Sequence, residues 1–134
     1  MVLNTDGGAR GNPGPSAAGI VLHDNEGNVL LEQGKYLGIG TNNEAEYQAI
    51  IFGLETAYKT NPNDSLTCVL DSELVVNQLK GSYKVKNARL TVLYKKAKET
   101  EAKLKKVEYK HVLRTQNKEA DAIVNNVLDS QENE

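Results

Sequence analysis

Apolar residues recur along this chain with two different periods. VLNTD, AAGIVLHD and NVLLEQGKYLG are short runs of strand character. Gly7, Gly8, Gly11, Pro13, Gly14 and Pro15 suit a turn after the first run, and DNEGN suits a hairpin loop between the other two. Three antiparallel strands are therefore expected at the start. From Asn43 to about Lys59 the period changes, and Ala45, Ala49, Ile50, Phe52, Gly53, Leu54 and Ala57 form a helical stripe that NPND ends. LTCVLD reads as a buried strand. SELVVNQLKG reads as a helix closed by Gly81, and Asn87 to Leu104 as another. VEYKHVL alternates Val107, Tyr109, His111 and Leu113 with Glu108, Lys110 and Val112, which suits a strand with one face on the core. The last helix, NKEADAIVNNVL, leads into a polar tail over 129–134 that is expected to fray. This order predicts an α/β domain over 1–128, a mixed sheet with helices packed on it.

Length agrees with one domain, since 134 residues of 39% hydrophobic content make one sizeable core but not two. No 18-residue apolar run and no charged leader with an apolar stretch is present, so a soluble, unsecreted, cytoplasmic protein is expected. The one cysteine, Cys68, lies in LTCVL and is expected to be a buried thiol. Net charge is -2, which argues weakly against a nucleic-acid partner until its distribution is considered. Residues 1–79 carry 3 Lys+Arg against 10 Asp+Glu, residues 80–118 carry 13 against 3, and residues 119–134 carry 5 acids. A basic segment within an acidic chain can lay a positive surface beside a negative pocket, as a phosphate-backbone ligand would need. A solvated lysine-rich helix is the plainer reading of KKAKETEAKLKK.

Four isolated acids stand where apolar elements begin, end or turn inward: Asp6, Glu46, Asp71 and Asp121. Carboxylates gathered from distant segments repel unless cations hold them, and hard oxygen ligands favour magnesium or manganese. Each acid also has a local role open to it: a turn residue for Asp6, an N-cap for Asp71, and a favoured first-turn acid for Asp121. Thr41 and Glu44 fit a capping box, which leaves Glu46 on the face of Ile50, Gly53 and Ala57. The alternative places Asn43 at the N-cap with Glu46 closing the box.

TDGGARGNPGP, TNNEAEYQAIIFGLE, LDSELVVNQL and RTQNKEADAIVN occur in the order of the four motifs of the ribonuclease H family, type 1, and the chain resembles that family over nearly its whole length. The resemblance implies a five-stranded sheet of order 3-2-1-4-5 and cleavage of the RNA strand of an RNA-DNA hybrid, leaving 5′-phosphate and 3′-hydroxyl ends. It places the catalytic and metal-binding acids at Asp6, Glu46, Asp71 and Asp121, with two Mg²⁺ or Mn²⁺ ions roughly 4 Å apart. It also implies contacts to the hybrid from Asn12, Asn42, Asn43 and Glu73, and to a DNA phosphate from Thr41. Local turn and cap chemistry is the alternative for the asparagines.

Two departures from the better-known family pattern stand out. A loop histidine precedes the last helix in many members, whereas His111 here falls within the strand pattern. It is expected to be structural or substrate-facing, with Arg114 taking the loop position. The stretch between Asp71 and Val107 is also too short for an extra basic helix, leaving GSYKVKNARL and the lysines from Lys95 to Lys106 to grip the substrate. Expected partners are an RNA-DNA hybrid, with double-stranded RNA a further candidate, and no membrane, the protein being a monomer. A non-catalytic hybrid- or RNA-binding module, or another nuclease or strand-transfer enzyme, are the alternatives.

Overall fold

A computed structural model describes residues 1–133. Strands β1 (Val2–Ala9), β2 (Gly14–His23) and β3 (Val29–Gly40) form an antiparallel meander, and β4 (Ser65–Leu70) and β5 (Lys106–His111) add to it in parallel. The order is β3-β2-β1-β4-β5, as expected. Helices α1 (Asn42–Thr60), α2 (Glu73–Leu79) and α3 (Ala88–Glu101) belong with the main core, built on Leu3, Ile20, Leu22, Ile50, Leu54 and Leu70. Helix α4 (Lys118–Glu132) covers the opposite face over a smaller cluster of Ala17, Val124 and Leu128. Cys68 is a free, buried thiol, and burial pushes its pKa up. Among the described residues, no helix is long and apolar enough to cross a membrane.

Several boundaries differ from expectation for identifiable reasons. Gly7 and Gly8 continue β1 instead of turning, and a Cβ on Gly7 would run into the Ala45 carbonyl, so the missing side chain lets α1 lie against the strand. The turn falls at Arg10–Pro13, where Gly11 has φ +86°. Helix α3 stops at Glu101, before Leu104. Residues 129–132 do not fray. They extend α4, and the Arg10 guanidinium meets the carboxylates of Asp129 and Glu132 at 2.7 and 2.8 Å. The final residue of the expected tail, Glu134, lies outside the described residues.

Helix α3 lies parallel to α1. Arg89 and Leu90 stand by Thr41, Asn43 and Glu44 at one end, and the Lys103 ammonium sits 5.9 Å from the Tyr58 ring at the other. A helix of 19 residues spans about 28 Å, so Lys103, Lys105 and Lys106 stand far from the N-terminus of α1. Of the basic segment, Arg89 stands at that end, and Lys84 and Lys86 shortly precede it in the chain.

Candidate active site

The N-terminus of α1 settles which glutamate turns inward. Thr41 is the N-cap: its hydroxyl accepts from Glu44 N at 3.1 Å, and its own N–H donates to Glu44 Oε1 at 3.1 Å. Asn43 is therefore not the cap, and Glu46 does not close the box. One turn further in, Glu46 is 7% exposed beside Gly7 of β1. Asp6 lies within β1, not in a turn, on the strand face shared with Asn4 and Gly8. Asp71 directly follows β4, and Ser72 caps α2 in its place by accepting from Val75 N at 3.2 Å. The local roles open to Asp6 and Asp71 are thus removed.

Asp6, Glu46 and Asp71 each bring a carboxylate oxygen within 4.8 Å of the others. Burial first, then the Asp71 charge, pushes the Asp6 carboxyl from 3.8 up to about 7. Burial and the Asp6 charge raise Glu46 well above the usual carboxylate range. Asp71 is raised by burial, against the hydrogen bond from Asn117 and the positive charges of Arg114 and His111. Among the described residues, Glu46 Oε2 and Thr5 Oγ1 are the buried side-chain atoms without a hydrogen-bond partner. An orphaned carboxylate oxygen facing two more carboxylates is costly without a cation, so the donor set fits a hard divalent ion.

Asp121 opens onto the same cleft from the first turn of α4 but stands outside the tight trio. Arg114 donates to it at 3.2 Å and Asn125 at 3.4 Å. Arg114 belongs to a short 3-10 turn, Arg114–Gln116, in the loop where it was expected. His111 is not a structural histidine: it ends β5 opposite Leu70, exposed, within range of the Asp71 charge.

The expected substrate contacts divide. Asn12 Oδ1 accepts from Asn42 N at 3.0 Å, and Asn42 Oδ1 from Ala9 N at 2.9 Å, so these two brace the β1–β2 turn against α1. Their amide nitrogens take no part in those bonds. Asn12, Thr41 and Asn43 also line a second groove with Asn87 and Arg89, which belong to the GSYKVKNARL segment expected to grip the substrate but were not singled out. Glu73 is exposed at the start of α2, 3.5 Å from the Tyr83 hydroxyl. Arg10, Asn117 and Asn125 were also missed. Asn125 could have been found from its spacing, four residues beyond Asp121 on one helical face.

The reverse transcriptase-like family model matches residues 4–127. Of curated proteins, a bifunctional protein of Mycobacterium tuberculosis is 37% identical over 131 residues, which are 97% of this chain and 36% of that protein. Ribonuclease HI of Halobacterium salinarum is 39% identical over 124 residues, covering 92% of this chain and 62% of that one. The chain thus spans about a third to under two thirds of the length of these relatives. The crystal structure of RNase H1 from the same archaeon superposes with a TM-score of 0.93 at 37% identity, covering 96% of this chain and 97% of that one. LC11-RNase H1 in complex with an RNA/DNA hybrid gives 0.93 at 37% identity, covering 97% of both chains.

Proposed function

The chain belongs to the ribonuclease H family, type 1, and from that premise we propose that it is a metal-dependent endoribonuclease hydrolysing the RNA strand of RNA-DNA hybrids, with 5′-phosphate and 3′-hydroxyl products. The carrying observation is the buried trio Asp6, Glu46 and Asp71 with the unpartnered Glu46 Oε2. These three and Asp121 would hold two Mg²⁺ or Mn²⁺ ions. Bound there, the ions supply activation of water and charge stabilisation at phosphorus.

The chain's own residues do the positioning. Sheet and helix termini fix the carboxylates at the cleft floor, and Arg114 holds Asp121 in place. Asn12, Asn42 and Asn43 offer amides that can donate to and accept from a ribose 2′-hydroxyl, with Thr41 at a phosphate and Glu73 further along the backbone. His111 and Arg114 are the auxiliary groups at the rim. Lys84, Lys86 and Arg89 carry the phosphate attraction, and the protein works as a cytoplasmic monomer. Asp71→Asn tests this reading, because it removes ligand charge with little change of volume. Loss of cleavage with hybrid binding retained is expected, while full hydrolysis by the variant in Mg²⁺ would overturn the assignment.

A further inference from the structure

Asn117 occupies the N-cap position of α4, where an asparagine ordinarily accepts from a backbone N–H of the first turn. Here it makes no such bond. Its side chain turns inward instead and is 1% exposed. Its amide nitrogen donates to the Thr5 carbonyl at 2.9 Å and reaches Asp71 Oδ2 at 3.5 Å, while its Oδ1 accepts from Asn4 Nδ2 at 3.0 Å. Its backbone carbonyl accepts from Asp121 N at 3.2 Å.

The reason for this arrangement lies in the sheet. Pairing of β1 with β4 stops at Asn4 and Val69, just short of the two acids. Beyond that point no ladder fixes Asp6 relative to Asp71, and the Thr5 carbonyl takes its hydrogen bond from the Asn117 amide. One buried side chain thus joins β1 where its pairing with β4 ends, the Asp71 carboxylate and the start of the helix bearing Asp121. A local rule broken at a helix start, in favour of a satisfied buried network, marks a position kept for the site.

We infer that Asn117 is a positioning residue that sets the separation and orientation of the acidic cluster for divalent-cation binding, an inference that rests on the metal-dependent reading above. Groups that orient metal ligands typically change affinity by roughly 10- to 100-fold when removed. Mn²⁺ binding to the free protein, titrated by electron paramagnetic resonance without nucleic acid, reads this directly. Asn117→Ala should weaken Mn²⁺ binding by about tenfold or more, and should raise the Mg²⁺ concentration needed for half-maximal cleavage by a similar factor. Metal-free hybrid binding should stay within about twofold of wild type, because Asn117 does not reach the surface that substrate meets. Asn117→Asp keeps the volume and the bond from Asn4 but replaces the donor with an acceptor beside Asp71, so it should lose at least as much affinity; it serves as the second variant if the alanine form does not fold. Tyr47→Phe, a core change that removes a hydroxyl bonded to Gln78 and does not line the cleft, controls for stability and should leave Mn²⁺ binding unaltered. Wild-type Mn²⁺ affinity in a folded Asn117 variant, with only a lowered melting temperature, overturns the inference. Absence of Mn²⁺ binding in the wild type would instead overturn the metal-dependent reading itself.

Discussion

Replacing Asp6 by asparagine should stabilise the metal-free protein at neutral and alkaline pH even as it removes a residue the site requires. The Asp6 carboxyl is raised from 3.8 to about 7, by burial first and by Asp71 second. Between those values the unfolded chain has released this proton and the folded chain still holds it. Stability therefore falls as pH rises through the window, by about 1.4 kcal/mol per pH unit, to a ceiling of about 4 kcal/mol above pH 7. Proton sharing with Glu46 lowers the expected difference to about 2 kcal/mol. Asparagine has nearly the same shape and no charge, so wild type and variant should unfold alike near pH 4. By pH 8 the variant should melt higher by about 6 °C for a chain of this size. Urea and thermal unfolding in a chelator, from pH 4.5 to 8, measure both curves. Millimolar Mg²⁺ should reverse the ranking, because the ions stabilise only the folded form that binds them. A variant no more stable than wild type at pH 8 in chelator, with an unchanged pH slope, would refute the reasoning.

Three further outcomes follow from the packing. Neutralising Lys84, Lys86 and Arg89 together should reduce the slope of log affinity against log salt by roughly 2 to 3 for hybrid binding, whereas neutralising Lys103, Lys105 and Lys106 should leave it unchanged. Salt titrations of the Asp71→Asn protein read this without cleavage. Gly7→Ala should cost about 3 kcal/mol or more in urea unfolding, since the added methyl meets the Ala45 carbonyl and must push α1 off the sheet. Tyr47→Phe removes the 2.6 Å bond to buried Gln78 Oε1 and should cost about 1 to 3 kcal/mol with cleavage retained.

What could be read from the chain alone was whatever depended on local order. The capping box favoured Glu46 over Glu44 as the inward residue from local order alone, because the box needs only Thr41 and the residue three positions on, and the structure removed the rival cap at Asn43. Asp6 and Asp71 were conspicuous because each interrupts or ends a run that reads as a strand. The misses depend on how elements meet. His111 is exposed because β5 ends on it, which removes the structural one of its two expected roles, and the polar end of α4 is helical because Arg10, from a distant turn, pairs with it. The segment from Lys95 to Lys106 reads as one basic stretch or one solvated helix, but α3 ends at Glu101 and its parallel packing on α1 leaves Lys103, Lys105 and Lys106 at the far end. Asn117 was read only as part of a helix-start motif, since its inward turn answers a gap between β1 and β4 that no pattern in the sequence reports.

The most direct test is hydrolysis of end-labelled duplexes of one sequence, an RNA-DNA hybrid, a DNA duplex and an RNA duplex, each in Mg²⁺ and in chelator. Internal cuts in the RNA strand of the hybrid, with 5′-phosphate ends, in Mg²⁺ only and with the DNA duplex intact, are expected. Cleavage that persists in chelator, or a hybrid left uncut in Mg²⁺ and Mn²⁺ by folded wild-type protein, would contradict the assignment of these carboxylates to metal-assisted hydrolysis of RNA.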